Sequence, residues 1–274
     1  MPETESMNHE LYKELKDLHK NVGTFDNGSC LTGHLYPYKE RQSCSYRWQG
    51  LKKARENKEI YNRHRPDAHI GAEGWGWASA EQVLKEKAGK LLYVGETATK
   101  SKKKKTKVKA RNFTNAFVPY ANNPHHVLPE SCLANAIESV TKEKTELVNL
   151  IAGGLLEEKY NINHKDNIMI MPCCWKDGCR IGLPTHPRGN NHPNYRYTIE
   201  NAVKDALEPY QQISDQGATH DKAKARKLKK TLEDISNDLY GELKTYGETL
   251  LSQCQNPEVT IDDIPQSVFT NAGL

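Results

Sequence analysis

The clearest pattern along the chain is an apolar stripe near its C-terminal end. Leu228, Leu232, Ile235, Leu239, Leu243, Tyr246 and Leu250 recur three or four residues apart within residues 221–253. That spacing puts them on one face of a long α-helix, and the opposite face is dense in Lys and Glu. The same rule predicts helices over 6–22, from Leu11, Leu15 and Leu18, and over 195–207, from Tyr195, Ile199, Val203 and Ala206. A charged helix is expected over 51–62 and a short one capped by Ser79 over 79–88. A longer helix is expected over 131–159, broken or ended near Gly153-Gly154. Lys90-Leu-Leu-Tyr-Val-Gly and Ile168-Met-Ile-Met, the latter stopped by Pro172, read as strands. Residues 23–50, rich in Gly, Ser, Tyr and Cys, read as loops with short strands; residues 63–78, with Pro66, Gly71, Gly74 and Gly76 around Trp75 and Trp77, read as loop or strand; and the residues from Pro257 onward read as an extended tail.

Composition changes this picture modestly. Of 274 residues, 36% are apolar and 27% charged, enough for one large or two small domains with part of the length in surface helices or tails. The 39 basic and 35 acidic residues leave a net charge of +4, too mild to indicate a nucleic-acid partner by itself. Its distribution says more: Lys102, Lys103, Lys104, Lys105, Lys107, Lys109 and Arg111 follow one another with no acid among them. Such a run grips phosphates without reading bases, or is a solvated loop. The opening residues are acidic and polar with no apolar core, and no stretch has the apolar length of a bilayer span, so synthesis in the cytoplasm without a cleaved signal is expected. Seven cysteines are scattered except for Cys173, Cys174 and Cys179. They read as reduced thiols, since no C-x2-C spacing or fourth zinc ligand is visible.

The chemistry lies in the histidines. Of eleven, five fall between 125 and 192. Asn122-Asn-Pro-His-His-Val-Leu-Pro sets His125 beside His126 ahead of a helix. His186 and His192 flank the Pro- and Gly-rich stretch that precedes the 195–207 helix. Neutral imidazoles bind borderline divalent ions, and a further histidine titrating near neutrality can accept a proton from water. Together these are sufficient for phosphodiester hydrolysis. Against this, a histidine pair arises by chance, and a histidine before a helix can simply satisfy its terminus.

Three blocks in one order extend the argument: His125-His126-Val-Leu-Pro, then Tyr160-Asn-Ile-Asn-His-Lys-Asp-Asn-Ile-Met-Ile-Met-Pro, then Leu183-Pro-Thr-His with His192-Pro-Asn-Tyr. Over roughly residues 115–210 the chain resembles AHH-type nucleases of the HNH (His-Me finger) superfamily. These occur as toxin domains of bacterial polymorphic toxins and as type VI secretion effectors. The resemblance implies an α+β fold, a mainly helical chain around a small ββα-metal core. It implies one divalent ion (Mg, Mn, Zn or Ni), His126 as general base, and His125 as a metal ligand or a residue orienting one. It implies Asn167 as the brace of the loop holding the base, and His192, then His186, as further ligands. Pro124 stands where the family name has Ala, which restricts the backbone before the pair. His164 reads as a local cap or surface residue, and Glu130 as a helix-start residue.

The domain division that follows is 1–90, for delivery or extension of the fold, 91–212 for the nuclease, and 213–274 for the amphipathic helix and tail. The expected function is a metal-dependent DNA endonuclease of low sequence specificity, an antibacterial toxin with a cognate immunity protein and a secretion or chaperone partner. It would be exported by a dedicated system and active in the target-cell cytoplasm. RNA as substrate, a non-toxin HNH nuclease, and a non-catalytic nucleic-acid-binding protein with a structural histidine–metal site are the competing readings. Leu92-Tyr-Val-Gly-Glu-Thr also looks like half of a GIY-YIG signature. The next arginine, Arg111, lies beyond the lysine run, and no first strand is evident, so a plain strand and turn explains it equally well.

Overall fold

The computed structural model describes residues 19–20, 28–33, 38–61, 63, 97–101, 104–107, 113–114, 116, 120–142, 144–186, 192–211, 222–252 and 259–271. In chain order the elements are β1 (His19–Lys20), β2 (Ser29–Cys30), α1 (Tyr46–Glu56), α2 (Lys58–Tyr61), β3 (Thr97–Ser101) and β4 (Lys104–Lys107). Next come β5 (Asn122–His126), α3 (Glu130–Thr141), α4 (Thr145–Glu157) and β6 (Ile168–Pro172). The chain continues with α5 (Trp175–Ile181), α6 (Pro193–Gln211), α7 (Lys222–Ser252) and α8 (Gln266–Asn271). The strands pair antiparallel as β1–β2, β3–β4 and β5–β6.

The centre is the β5–β6 pair, registered from Asn122 opposite Pro172 to His126 opposite Ile168. The N–H of Val127 bonds the Asn167 carbonyl at 2.9 Å and that of Cys173 bonds the Ala121 carbonyl at 2.8 Å. Those two bonds fix the alternation, so odd-numbered residues of β5 turn their N–H groups toward β6. Pro124 therefore falls on the outer edge, where no ladder donor is required, and the strand runs through it unbroken. Period-two alternation also sends the His125 and His126 side chains to opposite faces.

Helices close both faces. α3 packs along α6, and α1 lies against β6. Gly50 makes the close approach of α1 possible: a Cβ there would stand 2.9 Å from Ile168 Cγ2. Leu133 and Ile137 of α3, Ile170 and Met171 of β6, Ile199 and Val203 of α6, and Leu232, Leu239 and Leu243 of α7 belong to one buried cluster. The C-terminal stripe thus covers the core, as its periodicity implies.

Several elements differ from the expectations of the sequence. His19–Lys20 pair as a strand with Ser29–Cys30, so a helix over 6–22 does not reach its expected end. The helix expected over 131–159 is two helices, but the break lies at Lys142, which takes the left-handed conformation (φ 47°), and not at Gly153-Gly154. The glycines sit inside α4, where burial of Leu147, Val148, Ile151 and Leu155 outweighs a propensity cost of roughly 1 kcal/mol per glycine. The C-terminal residues are not an extended tail. Thr260 and Asp263 form a reciprocal capping box around a 3-10 turn at Ile261–Asp263, and α8 follows. The strand at 90–95, the helix at 79–88 and the Leu92–Glu96 part of the GIY-YIG-like stretch lie outside the described residues.

Candidate active site

Separate stretches of chain aim three histidines at one place. β5 presents His125. His186 follows α5, its N–H bonded to the Pro172 carbonyl at 2.8 Å. Its neighbour Thr185 is gripped on both sides: its N–H bonds the Val259 carbonyl, and its carbonyl accepts from the Ile261 N–H, each at 3.0 Å. His192 immediately precedes α6, and its carbonyl accepts the Arg196 N–H at 2.9 Å. Ring centroids lie 4.6 Å apart for His125–His186, 4.3 Å for His186–His192 and 6.0 Å for His125–His192. The Nε2 atoms of His186 and His192 approach to 3.1 Å. His125 Nε2 is buried and makes no hydrogen bond among the described residues.

A buried imidazole nitrogen without a partner costs free energy unless something supplies one. Burial, and the His186, His192 and His126 rings nearby, push the His125 pKa well below the imidazole range; burial lowers that of His192 too. Neutral rings keep lone pairs, and three imidazoles, one with an orphaned nitrogen, are donors of the type that suits a borderline divalent cation. The side-chain amide of Asn123 meets His186 Nδ1 at 3.3 Å. A half-turn of the amide offers that nitrogen a donor or an acceptor, so Asn123 can serve either tautomer of His186. Tyr195 of α6 packs its ring 5.5 Å from His125 and donates its hydroxyl to the Val127 carbonyl at 2.6 Å, tying the helix to the strand end.

His126 has a different setting on the opposite face. Its ring stacks on Tyr46 of α1, with centroids 6.1 Å apart. Its Nε2 lies 2.9 Å from Asn163 Oδ1. The Asn163 Nδ2 donates to the Thr32 carbonyl at 2.8 Å, so Oδ1 faces His126 as an acceptor. Nε2 therefore carries the hydrogen, and the neutral ring holds its lone pair on Nδ1. Burial lowers the His126 pKa, opposed by the Glu130 carboxylate and the Asn163 bond.

Asn167 is a brace. Its Oδ1 accepts the Leu128 N–H at 2.6 Å, and its Nδ2 donates to the carbonyls of Leu128 (2.9 Å) and Ile162 (2.8 Å). It thus ties the residues after the histidine pair to the loop bearing Asn163. His164 stands at the N-cap of the 3-10 turn Lys165–Asn167, its Nδ1 3.4 Å from the Asp166 nitrogen and 3.2 Å from the Asp166 carboxylate. Glu130 begins α3 and its carboxylate accepts the Gly33 N–H. Lys104, Lys105 and Lys107 are in strand β4 of the β3–β4 hairpin. Lys102, Lys103, Lys109 and Arg111 lie outside the described residues.

Sequence reasoning alone leaves four participants unmarked. Asn163, Tyr46, Tyr195 and Asp262 reach the site from four separate segments. For Asn163 the one available signal is its place in an Asn-Ile-Asn stretch two residues after Asn161, whose Oδ1 accepts the Asn163 N–H at 2.9 Å. Asp262 Oδ1 accepts the N–H groups of Asn194 and Tyr195 at 2.8 and 3.1 Å, capping α6 from about 70 residues downstream.

Two antiparallel strands with a following helix, and imidazoles converging at their junction, define the ββα class of the expected fold. A family model described as a nuclease family of the HNH/ENDO VII superfamily with conserved AHH matches residues 106–239. No curated protein and no solved structure matches the chain.

Proposed function

We propose that the protein is a metal-dependent endonuclease that cleaves DNA with little sequence preference. The observation that carries this reading is the pairing of two unlike histidine environments across one strand. His125, His186 and His192 offer lone pairs to one divalent cation around an orphaned buried nitrogen. His126 is held by Asn163 with its Nδ1 lone pair available.

His125, His186 and His192 would hold the ion. When bound, it supplies Lewis-acid stabilisation of charge on the phosphoryl and leaving oxygens. His126 Nδ1 takes the proton of the attacking water. Asn163 Oδ1 keeps the ring oriented and, with the Glu130 carboxylate, favours the imidazolium that results. Asn167 holds the backbone after the pair in register with that loop. Lys104, Lys105 and Lys107, with the rest of the basic run, would grip backbone phosphates.

The biological setting proposed is an antibacterial toxin, supported by the resemblance to toxin-borne AHH nucleases. It entails an acidic immunity protein covering the basic site, export from the producing cell by a dedicated secretion system, and action in the target-cell cytoplasm.

Plasmid cleavage by the purified chain, with and without divalent metal and beside His126→Ala, tests the enzyme. Metal-dependent cutting of DNA that the variant lacks is expected. Metal binding with no cutting of DNA or RNA would leave a nucleic-acid-binding protein with a structural histidine–metal site. Toxicity on expression, relieved by a neighbouring gene product, tests the toxin role; harmless expression of an active nuclease would remove it.

A further inference from the structure

Among the described residues a second group of metal-ligating side chains lies away from the three histidines. The ligand atoms of His19, Cys30 and Cys44 all lie within 4.8 Å of one another. They come from three places, β1, β2 and the turn before α1, and both cysteines are fully buried. A tetrahedral thiolate–imidazole shell, with Zn–S about 2.3 Å and Zn–N about 2.0–2.1 Å, has edges of roughly 3.6–3.8 Å. The observed spacing reaches that with a small contraction. The donor set, two sulfurs and one imidazole, is the set that favours thiophilic cations over magnesium or calcium. The Cys30 thiol donates to the Thr32 carbonyl at 3.1 Å, and the Cys44 sulfur lies 3.9 Å from the Ser43 hydroxyl.

The surroundings give the cluster a consequence. The Cys30 N–H bonds the Tyr160 carbonyl at 3.0 Å, and the Cys30 carbonyl accepts the Ile162 N–H at 2.8 Å. Two residues on, the Thr32 carbonyl accepts the Asn163 amide that orients His126. Cys44 precedes Ser45, the N-cap of α1, and Tyr46, the ring stacked on His126. Both cysteines are therefore within two residues of groups that hold the His126 ring.

We infer that His19, Cys30 and Cys44 bind a structural thiophilic divalent cation, Zn2+ by preference, which fixes β2 and the start of α1 and so positions His126. Binding replaces the two thiol protons, released to solvent, with metal–sulfur bonds. The fourth tetrahedral corner is left to an exchangeable donor such as water. The site is independent of the His125–His186–His192 cluster and does not require the nuclease reading to hold.

Cobalt(II) is the probe. The full chain, stripped of metal and kept reduced, is titrated with Co2+ and watched for near-ultraviolet thiolate-to-cobalt charge transfer, which histidine-only ligation does not give. The band is expected in the wild type, in His125→Ala and in Cys173→Ser/Cys174→Ser. It should be lost in Cys30→Ser and Cys44→Ser together with one equivalent of bound metal. A wild-type titration without the band, or a band that survives Cys44→Ser, overturns the site. The wild-type spectrum decides this even if the cysteine variants fail to fold. For the positioning role, nitrogen-15 spectra of the imidazoles are recorded in a His125→Ala background. Adding Zn2+ should shift the His126 Nε2 signal, and an unmoved signal overturns that part.

Discussion

One peptide step separates two tasks at the residue scale. Because β5 alternates, His125 turns to the histidine cluster and His126 to Tyr46 and Asn163. Removing the group that orients His126 should therefore affect rate without affecting metal. Asn163→Ala is expected to lower kcat by about 10–100-fold, the usual effect of losing an orienting partner. Metal titration at the histidine cluster should stay unchanged, and a fall in metal affinity would show that Asn163 supports the fold and not the base. Asp166 gives a pH prediction. The His164 bond, then the Lys53 bond and charge, hold its carboxyl below the usual range against the opposing effect of burial. A depressed carboxyl binds fewer protons folded than unfolded. Its stabilisation is thus complete above the unfolded value of about 3.9 and is lost as pH falls through the folded one. Unfolding free energies of Asp166→Asn and wild type, from urea denaturation, should differ by about 1 kcal/mol at neutral pH and converge in acid. A gap that widens in acid would reverse the sign. The histidine pair was legible as sequence because the two residues are neighbours, and Asn167 only through the family resemblance. Asn163 was not, because its role depends on Thr32 and His126, each more than 35 residues distant.

Elements are positioned by interactions that no single segment encodes. The start of α6 carries His192, and the α6 cap comes from Asp262 in a segment that reads as a polar tail. Asp262→Ala should cost about 0.5–2 kcal/mol in unfolding experiments. It should also weaken metal binding by displacing His192, and calorimetric titration showing wild-type affinity would separate the cap from the site. The α5–α7 packing rests on backbone meeting backbone. A Cβ at Gly247 would collide with the Gly182 carbonyl, whose own residue has φ +69° and ends α5. Neither group can yield as a side-chain tip does, so Gly247→Ala should lose about 1–3 kcal/mol by urea denaturation. A neutral result would mean that α7 can slide. The helix stripes of 195–207 and 221–253 were readable because periodicity is a property of sequence. The break at Lys142 was not, since glycines inside α4 are rescued by burial that only packing supplies.

The family match covers residues 106–239, yet the buried cluster extends from Leu31 to Phe269, so the chain outside the match completes the core. The basic run belongs to this scale as well. Neutralising Lys104, Lys105 and Lys107 should weaken DNA binding and leave cut-site preference unchanged. The slope of log K against log salt should become shallower by about 0.9 for each DNA phosphate that the variant no longer neutralises. An unaltered slope would return the run to a solvated hairpin. By itself the sequence determined what is local or periodic: the long C-terminal helix, the strand ended by Pro172, the neighbouring His125 and His126, and the family they point to. The tertiary structure decided which distant residues meet. It set His186 and His192 at His125, Asn163 at His126, Asp262 at the start of α6, and His19 with Cys30 and Cys44. The physical reason is that ligation and orientation need atoms within a few ångströms. Chain spacing fixes such distances over one helical turn or one strand pair, and beyond that they follow from how the core packs.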